Sequence, residues 1–244
     1  MRFLIFQHID IEHPGIFREF WRDAGIAWDA VELDAGEAIP DLESYDALVV
    51  MGGPMDVWQE AEHPWLVPEK AAIRRFVREL NRPYLGICLG HQLLADALGG
   101  SVGRGKTPEV GLGRVELTAA GFADPLFGSF SNPVETFQWH AAEVSRLPEG
   151  GELLARNDAC AVQAFRVGLA YGLQYHVEIT EQTVPQWRRL PAYAASLDTA
   201  LGPQRAASLA QETAARLPAF ARAARRINDN FLGLVTAARA ARVG

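Results

Sequence analysis

The sequence predicts an α/β fold: a mostly parallel sheet flanked by helices, with a small antiparallel extension. Three observations carry this. Short β-rich runs alternate with helical patterns through residue 98, which is the βαβα rhythm of a parallel sheet covered on both faces. The middle of the chain then turns into strand-like runs separated by Gly, Pro and Asn, with little helix between them. From residue 180 onward helix dominates.

In chain order, the strand-like runs are 3–8 (FLIFQH), 27–33 (AWDAVEL), 47–52 (ALVVMG) and 84–88 (YLGIC), and the helical patterns between them cover 14–25, 66–80 and 90–98. GRVELT, VETFQWH, GELLARN, CAVQAFRV and LAYGLQYHVE follow as the antiparallel extension. It is expected on the same sheet, with its last strand returning to the centre. The C-terminal helices are expected to break at Pro185, Pro191, Pro203 and Pro218. These patterns divide the chain into an α/β domain over residues 1–182 and a helical extension over 183–244 packed on it.

With 49% hydrophobic residues spread through short runs, the chain can build a substantial core, and disorder is not expected. No run approaches the roughly 18 apolar residues of a membrane span, and the start lacks the apolar stretch of a signal peptide. A soluble cytoplasmic protein is expected. Its two cysteines, Cys88 and Cys160, cannot form a disulfide framework and lack metal-ligand spacing, so no metal or other cofactor is expected. The net charge of −7 is asymmetric: residues 187–244 hold nine arginines against three acids, which leaves the first 186 residues at −13. Such a body repels nucleic acid, and the Ala/Arg-rich tail, without interleaved aromatics, reads as a solvated helix.

The chemistry begins at Gly86-Ile87-Cys88-Leu89-Gly90. This spacing matches a nucleophile elbow, where small flanking residues permit a sharp strand-to-helix turn that pushes the central side chain out of the sheet. The following helix start favours a thiolate, and the Leu89 N–H can point at an oxyanion on an acylated sulfur. A small buried cysteine at a strand end fits the same five residues, so the elbow needs a base. In GLQYHVE, strand alternation puts Gln174, His176 and Glu178 on one face. A carboxylate two residues from the imidazole can take one ring proton and leave the other nitrogen to accept from sulfur. Together these residues form a Cys-His-Glu triad in the order nucleophile, base, orienter. Gly53, in Met51-Gly52-Gly53-Pro54, is the nominee for a second oxyanion donor. His140, closing FQWH, is expected to line the site. His91 is expected to be structural, and Cys160 a buried strand cysteine.

With these residues placed, the sequence resembles the class I glutamine amidotransferases, the triad family whose glutaminase domain occurs in GMP synthase, carbamoyl phosphate synthetase and anthranilate synthase. The resemblance covers residues 1–180 through MGGP, GICLGHQLLADALGG, QWHAAEV and GLQYHVE, in the family's order and spacing. It implies a Rossmann-like, flavodoxin-like sheet with the nucleophile at its centre. It also implies catalytic roles for Cys88, His176 and Glu178, and an oxyanion hole at the N–H groups of Gly53 and Leu89. Gln92 would contact the amino-acid end of glutamine, and the backbone at Ala141 and Ala142 would hold its α-groups. Family members usually read HPE where this chain has His176-Val177-Glu178, and many carry HGD or HGF where it has His140-Ala141-Ala142. An added Cβ at that second place is expected to narrow or redirect the pocket.

PMDVWQE, HPWL and PEVGLGRVELT bring the chain nearest to the stand-alone, GMP-synthase-like members. The helical residues 183–244 are not expected to form an ATP-pyrophosphatase or other acceptor domain. Ammonia would then pass to a separate synthase or acceptor protein, or to solvent. The leading expectation is a glutaminase. A γ-glutamyl peptide or amine hydrolase would use the same machinery with a wider pocket, and a non-catalytic regulatory subunit would keep the scaffold alone. A cysteine hydrolase of the DJ-1/PfpI type would carry its histidine directly after the elbow cysteine, where this chain has Leu89.

Overall fold

Four apolar runs near the start pair in parallel in the computed structural model, which describes residues 1–128 and 130–243. They are β1 (Arg2–Gln7), β2 (Ala27–Glu32), β3 (Ala47–Val50) and β4 (Tyr84–Ile87). Every residue of β3 and β4 is buried, as expected for strands covered on both faces. The helices that follow β1, β3 and β4 are α1 (Phe17–Asp23), α2 (Leu66–Arg74), prolonged by a wider turn over Arg75–Glu79, and α3 (Leu89–Ala97).

The extension consists of β5 (Ser101–Leu117), β6 (Val134–Arg146), β7 (Glu152–Arg156), β8 (Ala164–Val167) and β9 (Ala170–Leu173), with the short helix α4 (Ala119–Ala123) after β5. One nine-stranded sheet results, in the order β2-β1-β3-β4-β9-β8-β7-β5-β6. The last strand does return to the centre: β9 lies parallel to β4 and antiparallel to β8. The fold is the expected α/β class.

Period-two alternation sorts the sheet's side chains into two cores. Phe3, Ile5 and Val49 point to one face with Phe17 and Trp21 of α1, whereas Leu4, Phe6, Leu48 and Val50 meet Ile73 of α2 and Leu93 of α3 on the other. Two C-terminal helices follow, α5 (Thr183–Trp187) and α6 (Pro191–Val243). The Ala/Arg-rich part of α6 is more than a solvated helix, because Ala224, Ile227, Phe231 and Val235 form a buried stripe on the first core. The Phe231 ring stands edge-on to Phe3 at 6.3 Å. The first part of α6 joins a third cluster, where Tyr193, Leu197 and Leu209 pack with Phe137 and Trp139 of β6 and Trp187 of α5.

Several boundaries differ from the sequence expectation, each for a tertiary reason. β9 stops at Leu173, because its neighbour β4 ends where the chain turns outward at Cys88. β6 runs through His140 instead of closing there, since β5 pairs with it as far as Arg146 across a register shift between Arg104 and Glu109. Cys160 lies in the β7–β8 turn, not in a strand. In α6 the non-helical backbone is at Gly202 (φ 73°), just before Pro203. The helix continues through Pro218, a helix kink site in principle, because Leu217 and Phe220 on either side of it are held in the third cluster.

Candidate functional site

Cys88 sits between β4 and α3 with φ 53° and ψ −103°, an unfavourable backbone for a residue with a Cβ. The flanking glycines make the turn possible. A Cβ on Gly90 would overlap the Val50 carbonyl oxygen, and one on Gly86 would overlap the carbonyl of Gly90. The elbow spacing therefore reflects backbone packed on backbone. The Cys88 N–H donates to Leu173 O at 2.8 Å, which ties the elbow to the end of β9.

Beyond Leu173 the chain turns and brings Gln174, His176 and Glu178 under the sulfur. The Gln174 amide donates to Cys88 Sγ at 3.8 Å, the thiol itself donates to Trp139 O at 3.7 Å, and His176 lies close enough to the sulfur to favour its thiolate. His176 Nδ1 meets Glu178 Oε1 at 2.7 Å. Glu178 Oε2 accepts from the Val177 N–H at 2.9 Å, so the carboxylate is held from its own backbone. The His176 N–H bonds to Phe137 O at 2.8 Å, and the ring stands edge-on to Trp187 at 4.7 Å. These contacts replace the continuous strand expected to align the three residues.

Burial is the first influence on both partners. It pushes the Cys88 thiol up, against the pull of His176. It disfavours the His176 cation, yet the Glu178 charge and the sulfur hold that imidazolium well above its ordinary range. The helix start therefore does not by itself make Cys88 acidic. The fixed carboxylate at 2.7 Å favours the imidazolium form of His176, which sets a positive charge near the sulfur.

Cys88 opens onto a cavity of about 370 Å³ that also includes Gly53, Gln92, His140, Ala141 and Ala142. Gly53 and Leu89 are neighbours: a Cβ on Gly53 would come within 3.0 Å of Leu89 Cδ2. The Gln92 amide donates to Ala142 O and to Gln174 Oε1, both at 3.1 Å, which locks it at the cavity wall. His140 is turned toward Glu109, 3.2 Å away.

The model of the family described as "Glutamine amidotransferase class-I" matches residues 19–186. The chain belongs to the class I glutamine amidotransferase family. It is 32% identical over 192 residues to the glutamine amidotransferase-like protein YfeJ of Salmonella typhimurium, covering 75% of this chain and 78% of that protein. It is 37% identical over 162 residues to a glutamine-hydrolyzing GMP synthase subunit of Haloquadratum walsbyi, covering 65% of this chain and 79% of that one. A crystal structure of a glutamine amidotransferase from Thermotoga maritima superposes with a TM-score of 0.85 at 29% identity, covering 96% of this chain and 98% of the other.

In this family member, four residues that sequence patterns did not single out complete the surroundings of Cys88, His176 and Glu178. Glu12, buried after β1, comes so close to Gly52 that a Cβ there would overlap its Oε2, and the same Cβ would lie 3.3 Å from His176 Cε1. Glu12 Oε1 accepts from the Tyr193 hydroxyl of α6, while Oε2 has no hydrogen-bond partner among the described residues. Burial and the neighbouring Glu178 charge push the Glu12 carboxyl up to about 7, with His176 and His8 pulling the other way. His8 Nδ1 meets Gly52 O at 2.8 Å and its Nε2 meets Glu69 Oε1 at 2.9 Å. Two acceptors on one ring require both nitrogens to donate. Burial opposes that charge, but Glu69 raises His8 above its ordinary value. A buried ion pair thus clamps the Gly52-Gly53 turn. Only the polar residues within the apolar-flanked HIDIEHPG stretch hinted at this, and Tyr193 is remote in sequence.

Proposed function

We propose that this chain hydrolyses the γ-amide of glutamine through a γ-glutamyl thioester on Cys88. The sulfur attacks the δ-carbonyl, and the Gly53 and Leu89 N–H groups receive the developing oxyanion. His176, oriented by Glu178, protonates the departing ammonia. Water then adds to the thioester as His176 takes its proton, and glutamate leaves with the thiol restored. Gln92 and the Ala141-Ala142 backbone hold the amino-acid end. The ammonia passes to a separate synthase or acceptor protein, a reading supported by the likeness to the Haloquadratum walsbyi GMP synthase subunit.

The observation that carries this reading is the strained elbow cysteine, open to a cavity and within electrostatic reach of a buried imidazole whose Nδ1 is 2.7 Å from a carboxylate. A second substrate class is favoured by the cavity itself. Its volume of about 370 Å³ lies in the range of sites for molecules larger than an amino acid, and Pro108, Val110, Tyr193 and Ser196 extend it beyond the sulfur. A γ-glutamyl amine or peptide would place its leaving group there.

The test is steady-state release of ammonia or amine from glutamine and a panel of γ-glutamyl compounds, with labelling of Cys88 by 6-diazo-5-oxo-norleucine followed by mass spectrometry. A Cys88 adduct, with turnover abolished in Cys88→Ala, supports the reading. Absence of both adduct and turnover would assign the scaffold a binding role instead.

A further inference from the structure

We propose that Glu109, His140 and Cys160 form a binding site for a thiophilic divalent cation of the zinc class, beside the catalytic cavity but separate from the triad. The three ligating atoms lie within 4.8 Å of one another. They come from three places in the extension: Glu109 and His140 are register partners across β5 and β6, and Cys160 lies in the β7–β8 turn. No local spacing reveals such a set. Cys160 and His140 are both buried, at 1% and 8% exposure.

The hydrogen bonds around the cluster turn its ligating atoms toward one another. His140 Nδ1 lies 3.1 Å from the Ala142 carbonyl, so Nδ1 is the nitrogen that donates to the backbone and Nε2 is the one turned to the cluster. That Nε2 is buried, has no hydrogen-bond partner of acceptable geometry, and faces Glu109 Oε2 at 3.2 Å. A buried ring nitrogen and a carboxylate oxygen thus face each other without a hydrogen bond between them. Two amides steady the carboxylate: Asn157 Nδ2 donates to Oε1 and Gln163 Nε2 to Oε2, each at 2.7 Å. Asn157 also accepts from the Cys160 N–H at 2.7 Å, which fixes the turn that presents the thiol. Ligands held from behind by amides and backbone carbonyls are the usual surroundings of a protein metal centre.

A tetrahedral zinc-class ion needs nitrogen, oxygen and sulfur ligands roughly 3.3–3.8 Å apart. The His140–Glu109 pair is already near that spacing, and a rotation of the Cys160 side chain, which now points its thiol at Val162 O, brings the sulfur in. Binding replaces the thiol proton by the metal and releases that proton to solvent. The carboxylate and the thiolate then balance the two positive charges, with a fourth position left for water. Because Ala141 and Ala142 follow His140 into the cavity wall, occupancy fixes the segment that borders the substrate.

The test uses full-length Cys88→Ser protein, so that the catalytic sulfur cannot contribute, stripped with a chelator and titrated with Co²⁺ without oxygen. A sulfur-to-cobalt charge-transfer band that saturates at one equivalent and is displaced by Zn²⁺ is expected. Cys88→Ser/Cys160→Ser should lose the band. Glu109→Gln, in the Cys88→Ser background, should weaken affinity by about tenfold or more. Thermal melting of each variant confirms that it is folded. No band in Cys88→Ser, a band that survives loss of Cys160, or an unchanged affinity in the Glu109→Gln protein would overturn the assignment. None of these outcomes depends on glutamine turnover.

Discussion

Replacing Glu12 by Gln should stabilise the protein at alkaline pH relative to its effect at acidic pH. The carboxyl is buried, its Oε1 accepts from Tyr193, and its Oε2 has no partner among the described residues. Its value rises from 4.5 to about 7 on folding. An acid whose value is raised by folding contributes fully below its unfolded value, and that contribution is lost as pH rises through the folded one. The window is therefore pH 4.5 to about 7. At 1.36 kcal/mol per unit, the cost of ionising Glu12 in the folded state approaches about 3 kcal/mol above the window. Gln keeps the shape and can still accept from Tyr193 through its amide oxygen. Any cost of its unpaired NH2 is present at every pH and cancels in the comparison. Urea unfolding of both proteins at pH 5 and pH 8 measures the difference directly. At pH 8 the variant should gain up to about 3 kcal/mol relative to its position at pH 5, which corresponds to roughly 6–12 °C in melting temperature for a chain of this size. An equal difference at both pH values would refute the claim that Glu12 is held neutral by burial.

Three further outcomes are expected. Cys88→Ala should lower kcat/KM for glutamine hydrolysis by about 10⁴-fold or more, read by coupled detection of glutamate, and wild-type turnover in the variant would remove the sulfur from the chemistry. Gly90→Ala places a methyl group on the Val50 carbonyl oxygen, so circular-dichroism melting should report a loss of about 3 kcal/mol or more; an unaltered melting point would mean the elbow can relax. Tyr193→Phe removes the donor to buried Glu12 and should cost about 1–3 kcal/mol in urea unfolding, with a change in KM because Tyr193 also borders the cavity; unchanged midpoint and KM would show that this contact is idle.

Much of the fold was readable because local periodicity survives in it. The buried runs ALVV and YLGI became β3 and β4, and the apolar residues of α2 and α3 lie in the core where their spacing put them. The readings that failed at element ends involved long-range partners. Strand pairing carried β6 past His140, and the end of β4 cut β9 short. The arginine-rich tail read as a solvated helix because Ile227, Phe231 and Val235 are sparse among alanines, yet they meet Phe3 and Trp21 once the sheet exists.

The sequence by itself determined the layered α/β class and the elbow, since a glycine two residues either side of Cys88 is a local backbone requirement. It also carried the His-x-Glu pair, whose members are close enough in the chain to meet without help from the fold. Tertiary structure alone decided what surrounds that pair: Glu12 against Gly52, Tyr193 reaching back from α6, His8 clamped to Glu69, and Glu109 facing His140. Such contacts join residues far apart in the chain, and the charge and burial that set their chemistry arise only when the sheet brings them together.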